Sequence, residues 1–186
     1  MEIKSDRLML KELKQKDLDF MYKMASEPLV YYYDADEELP SKEQIYEKYK
    51  KKISKMKENV DKHFIFLINL LPDEVPIGEV HIQLNWEAHR EWEIGYVLHT
   101  DYWGSGYASE AVKLVFKYIF ENLNAHKVVG FCNANNKNSS NLMERVGMKR
   151  DGLLREGILW HKEWCDEFVY SILEKEFLPF SKLNRK

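Results

Sequence analysis

Two cysteines in 186 residues, Cys132 and Cys165, are too few for a disulfide framework, and neither has a partner at metal-site spacing. No apolar run approaches the length of a membrane-spanning helix. Residues 1–7 lack the apolar core of a secretory leader, so a cytoplasmic protein with no membrane partner is expected. An excess of positive charge is also missing. The 28 Lys and Arg against 31 Asp and Glu leave a net charge of -3, which argues against nucleic acid as the main ligand. The common ligand signatures are absent as well. There is no Gly-x-x-x-x-Gly-Lys-Ser/Thr and no Gly-x-Gly-x-x-Gly after an N-terminal strand. No His-x-x-x-His pair suits zinc, and no Gly-x-Ser-x-Gly elbow presents a nucleophilic serine.

What is present is a globular composition, 45% hydrophobic and 13% aromatic, long enough for one well-buried core. A single domain over residues 1–186 is expected. Residues 7–13 read as a strand through Leu8, Leu10 and Leu13, and a helix from Asp17 carries Phe20, Met21 and Met24 on one side. An irregular acidic loop spans residues 34–40. Ser41 and Gln44 then match a capping box that opens a second helix. Its lysine-rich stretch, residues 48–57, reads as a solvated face, because Ile45, Tyr49, Ile53 and Met56 share the opposite one.

Residues 64–70 form a nearly continuous apolar run, as in a strand buried on both faces. Residues 77–84 alternate, with Val80, Ile82 and Leu84 on one face and Glu79, His81 and Gln83 on the other. Residues 85–91 read as a polar turn, and residues 92–98 alternate again. These three strands predict an antiparallel meander. Helical spacing over residues 109–122, a strand over 127–133, a short helix over 138–146 and a strand over 167–173 complete the pattern. The fold class is therefore α+β or α/β, a sheet of mixed direction with helices on its faces.

Residues 101–112 stand out. A strand leads into Trp103, Gly104, Ser105, Gly106, Tyr107 and Ala108, and a helix leads out. Glycine lets backbone N–H groups approach an anion closely, and the first helical turn adds unpaired donors and a partial positive charge. Together these make a phosphate seat. A second loop, residues 133–141, follows the strand that ends near Cys132. In a sheet whose strands end at one edge, both loops open on one crevice. Asn136 and Ser139 sit there at a helix start, where a capping role for Asn138 or Ser139 is the alternative.

The segment Trp103-Gly104-Ser105-Gly106-Tyr107-Ala108 resembles the pyrophosphate loop of the GNAT acetyltransferase superfamily, Gln/Arg-x-x-Gly-x-Gly/Ala, with Trp103 in place of Gln/Arg. The resemblance extends to Ser5-Asp6-Arg7-Leu8-Met9-Leu10, Glu93-Ile94-Gly95-Tyr96-Val97-Leu98, and Asn136-x-x-Ser139 followed by Glu144-Arg145-Val146-Gly147-Met148. Residues 151–157 and 166–173 match its C-terminal end. The branch resembled contains ribosomal-protein N-terminal acetyltransferases and spermidine N-acetyltransferases.

This resemblance implies a mixed, mostly antiparallel sheet with a V-shaped splay between two parallel strands, residues 92–98 and 127–133. It implies acetyl-CoA as cosubstrate and no metal. The pantetheine would bond the strand edge near Val97 and Leu98, residues 104–108 would take the pyrophosphate, and Asn136 would hold the arm from the other side. Acetyl transfer to an amine needs a base, for which Glu93 is the first candidate and Glu156 the second. A backbone N–H near Val97 or Leu98 would meet the developing oxyanion. Ser139 would hydrogen-bond the leaving thiolate. The acceptor, a peptide N-terminus, a polyamine or another small amine, would meet residues 31–38, 85–91 and 157–164. Aromatic residues of exposed type point to a homodimer. A non-catalytic acetyl-CoA sensor on the same fold is the alternative.

Overall fold

β3 (His63–Leu70) is buried along its whole length except the last residue, because helices cover both faces of the sheet around it. The computed structural model describes residues 1–33, 39–58 and 62–177. On one side of β3, Ile65 and Leu67 pack under α1 (Leu18–Ala25) and α2 (Lys42–Glu58), against Leu18, Met21, Ile45, Tyr49 and Ile53. On the other side, Phe64, Phe66 and Ile68 join a larger core with α3 (Tyr107–Asn122) and α4 (Lys137–Arg145). The capping box at α2 forms: Ser41 N–H donates to Gln44 Oε1 at 2.7 Å, and Gln44 N–H to Ser41 Oγ at 3.2 Å.

The remaining strands are β1 (Glu2–Lys4), β2 (Leu8–Glu12), β4 (Val75–Trp86), β5 (Glu91–Leu98), β6 (Lys127–Asn133), β7 (Lys149–Trp160) and β8 (Glu163–Leu173). All eight make one sheet in the order β1-β2-β3-β4-β5-β6-β8-β7. The expected meander is present as β3-β4-β5, antiparallel throughout. The β5–β6 pair is the parallel one.

That parallel pair positions the site. It holds only over Glu91↔Lys127, Trp92↔Val128 and Glu93↔Val129. Beyond Glu93 and Val129 both strands continue, but they no longer pair. β5 stays bonded to β4 as far as Leu98, and β6 to β8 as far as Asn133. The sheet therefore opens into a V that carries an unpaired edge in its middle.

Three elements differ from the expected pattern. The expected pattern places no strand between residues 146 and 167. The structure has a long β7–β8 hairpin instead. β7 is an edge strand exposed over most of its length, so it carries no apolar alternation and is held by pairing with β8. β1 was also not foreseen, being three residues long and largely exposed. α3 begins two residues earlier than expected, at Tyr107. The polar face of β4 is interior: Glu79 is 3% exposed, covered by α2 through Tyr49.

Candidate active site

Two glycines shape the loop between β5 and α3. Gly104 and Gly106 have φ of +76° and +80°, backbone angles that a side chain disfavours. Gly106 is the N-cap of α3, and the first helical bond runs from Glu110 N–H to Gly106 C=O at 3.1 Å. The amides ahead of Glu110 therefore precede the helical ladder and are available to an anion. Arg145 adds a cation at this mouth, donating to Ser109 Oγ at 3.3 Å. The Trp103 indole N–H donates to the Leu98 carbonyl at 2.9 Å and ties the loop to the end of β5.

The V continues inward from this seat. His99 N–H donates to Ile77 C=O across β4 at 2.9 Å. Strand alternation then turns the Gly95 and Val97 amides toward β4 as well, and those of Tyr96 and Leu98 into the V. Of the two expected amide donors, Leu98 faces the opening, while Val97 contributes its side chain to the wall. Facing them, Asn136 caps α4, its Oδ1 accepting from Ser139 N–H at 3.0 Å. The cap uses the acceptor end of Asn136 and leaves its amide NH2 as a donor. Ser139 Oγ lies 3.1 Å from the Tyr96 hydroxyl, which also donates to the Ser139 carbonyl at 3.3 Å. Tyr96 thus bridges the two arms of the V. Burial raises its hydroxyl pKa, so it stays protonated.

One cavity of about 910 Å³ joins this V to the α2 face of the sheet. Glu93 lines it from β5, as the alternation predicts, and accepts from Gln83 Nε2 at 3.3 Å. Glu167, which the sequence reading did not single out, lines it from β8. Burial and then the Glu93 charge raise its carboxyl pKa from its ordinary value. Glu156 is not brought there. It is exposed, at a bulge in β7, and its N–H donates to Asp166 Oδ1 at 3.0 Å.

The cavity floor is polar. Glu79 accepts from Tyr49 OH at 3.0 Å. His81, whose ring lies over Gly95, is pushed down to about 3 by burial, so it is neutral. Burial also raises Glu79, against the nearby Lys52 charge. No local sequence signal marks these groups, because only α2 makes their strand face an interior.

Of the expected acceptor walls, Tyr31, Tyr33 and Ile158 line the cavity. Trp160 Nε1–H donates to the Tyr32 carbonyl at 2.8 Å and locks the β7–β8 tip against that segment. Residues 85–91 stand away from the cavity, at the end where β5 and β6 still pair. Asp34, Asp36, Glu37 and Glu38 lie outside the described residues. Among the described residues, no group of three or more His, Cys, Asp or Glu side chains could hold a metal ion. No helix among them is long and apolar enough to cross a membrane. The site can seat a diphosphate at the loop, lay an extended amide chain along the free β5 edge, and place its end beside two carboxylates and a serine.

The profile of the acetyltransferase (GNAT) domain matches residues 7–149. The uncharacterized N-acetyltransferase YnaD of Bacillus subtilis is 32% identical over 178 residues, 95% of this chain and 99% of that one. A GNAT-family acetyltransferase structure from Bacillus anthracis superposes with a TM-score of 0.79 at 29% identity, covering 95% of this chain and 100% of the other. The spermidine N-acetyltransferase of Vibrio cholerae, solved with CoA and spermine, shares the fold at a TM-score of 0.81 and 24% identity, covering 94% and 99%. The glycine seat, the splayed parallel strands and these likenesses agree: the chain belongs to the GNAT acetyltransferase family and is an N-acetyltransferase that draws its acetyl group from acetyl-CoA.

Proposed function

We propose that the protein acetylates a primary amine by direct attack in a ternary complex, the acceptor being a small-molecule amine or a peptide N-terminus. The observation that carries this reading is the continuous cavity that runs from the glycine loop to Glu93, Glu167 and the aromatic wall at Tyr31 and Tyr33. Both substrates can meet in it without an acyl-enzyme. The thiol nearest the V, Cys132, is pushed up to about 11 by burial, so it is a poor nucleophile near neutral pH.

Acetyl-CoA supplies the acetyl group as a thioester. The amides of residues 104–108 and Arg145 hold the pyrophosphate, and the inward-facing groups of Tyr96 and Leu98 bond the arm as an added strand would. The Asn136 NH2 donates to the arm from the opposite side. Glu93 and Glu167 hold the acceptor ammonium between them and take its proton, since only the free amine attacks. The Tyr96 N–H, which also turns into the V and lies further in from the loop, faces the oxygen that gains charge as the amine adds. Ser139 Oγ, steadied by Tyr96, donates toward the departing sulfur.

The direct test is release of free thiol from acetyl-CoA against a panel of polyamines, small amines and peptides. Spermidine and spermine belong in it, given the Vibrio cholerae relative. Amine-dependent release is expected, together with a rise in Tm on adding acetyl-CoA. If acetyl-CoA leaves Tm unchanged, the reading fails. Ser139→Ala is expected to lower kcat about 10-fold while KM for acetyl-CoA moves less, because the hydroxyl acts on charge that develops only as the thiolate leaves. An unchanged kcat removes Ser139 from the mechanism.

A further inference from the structure

The glycine loop is braced from outside the cavity by a side chain from the N-terminal end of the sheet. Arg7 lies between β1 and β2. Its Nη1 donates to the Ser105 carbonyl at 3.2 Å. Its Nε donates to Glu110 Oε2 at 2.8 Å, and its Nη2 closes on the same oxygen. Ser5 Oγ donates to the other oxygen, Glu110 Oε1, at 2.6 Å. The guanidinium also lies over the Tyr107 ring, 4.8 Å from its centroid. One cation therefore touches the loop, the first helical turn and the ring between them.

We propose that Arg7 is a positioning residue for the pyrophosphate seat: it holds the Ser105 carbonyl outward, so that the Gly106 N–H points into the cavity, and it cancels the Glu110 carboxylate. This inference rests on the reading that the loop takes the pyrophosphate of acetyl-CoA.

The first half follows from peptide geometry. The Ser105 carbonyl and the Gly106 N–H belong to one trans peptide plane and point in opposite directions. A donor that captures the carbonyl on the outer side turns the amide hydrogen inward. Gly106, at φ +80°, needs such a restraint, because glycine reaches either sign of φ with similar ease.

The second half follows from charge. Glu110 is the acidic residue in the first turn of α3. A carboxylate there favours the helix N-terminus but opposes an incoming diphosphate. Arg7 and Ser5 occupy both of its oxygens and direct its charge away from the seat. The Arg7 side chain is 49% exposed, and such a pair adds little to fold stability. The effect of losing it should therefore appear in ligand binding.

The experiment compares acetyl-CoA with S-acetylpantetheine, which has the same thioester arm and no pyrophosphate. Arg7→Met is expected to raise KM for acetyl-CoA about 10-fold, as for losing one or two charge-assisted contacts, with kcat held within about 2-fold. KM for S-acetylpantetheine should not change. Arg7→Lys should recover only part of the loss, since a single ammonium cannot span the Ser105 carbonyl and Glu110 in the same fork geometry. Adding Glu110→Gln to Arg7→Met should also recover part, by removing the uncancelled charge. An equal loss for both thioesters, or no loss for acetyl-CoA, overturns the inference. A wild-type enzyme that binds acetyl-CoA no better than S-acetylpantetheine would instead overturn the pyrophosphate seat itself.

Discussion

Glu93→Gln is expected to lower kcat for the best acceptor about 10²-fold, the size of effect typical for loss of a positioned general base. The amide keeps the shape of the side chain and can keep its contact with Gln83, so the loss should be chemical and not structural. Glu167→Gln should also slow the reaction. The two losses should not add, because the carboxylates act on one ammonium. The pH profile carries the sharper reading. Burial, and after it the Glu93 charge, raise the Glu167 carboxyl. A base works only when deprotonated, so activity should fall as pH drops through that raised value. In Glu93→Gln the repulsion is gone, Glu167 ionises more easily, and the acid limb of the residual activity should move to lower pH. The measurement is kcat/KM against pH for wild type and variant. If both single variants stay within about 2-fold of wild type, neither carboxylate is the base.

Gly106→Val is expected to raise the Kd for CoA about 10²-fold or more. The reason is torsional and not steric. A Cβ at Gly106 would meet only the Arg7 Nη2 atom at 3.8 Å, an ordinary contact. At φ +80°, however, a β-branched residue is a genuine outlier, at a cost on the order of 1–3 kcal/mol. The chain would relieve this by rotating the very peptides whose N–H groups form the seat. Calorimetric titration with CoA measures the loss. Gly152→Ala is the control, because nothing lies within 4 Å of its added Cβ and its φ is not in the left-handed range. Equal CoA affinity in Gly106→Val and wild type would separate the loop from ligand binding.

The parts of the molecule that were legible in the sequence are those whose signal is local. Ser41 and Gln44 cap α2 as their spacing predicts. Ile45, Tyr49, Ile53 and Met56 are its buried face. Glu93 points to the cavity because strand alternation sets it opposite Trp92 and Ile94, which are buried on the other side. The glycine loop was legible because positive φ leaves few choices of residue.

Other features were not legible. β7 has little apolar alternation, since it is held at the sheet edge by β8. By residue type alone nothing distinguishes Glu156, the expected second base, from Glu167. Only the register Asn133↔Glu167 sets one of them beside the V, while a bulge in β7 leaves the other in solvent. Tyr96 reaches Ser139 across 43 residues of chain, and Arg7 reaches Ser105 across 98. Such pairs leave no periodic trace in a single sequence.

The sequence by itself therefore determined the capped α2 helix and its buried face, the β3-β4-β5 meander and the glycine loop between β5 and α3, because capping, alternation and backbone torsion act over a few neighbouring residues. The tertiary structure alone decided where the parallel strands part, which carboxylate joins Glu93, and what holds the glycine loop in shape. Those outcomes depend on strand order and register, which bring residues far apart in the chain to within hydrogen-bonding distance.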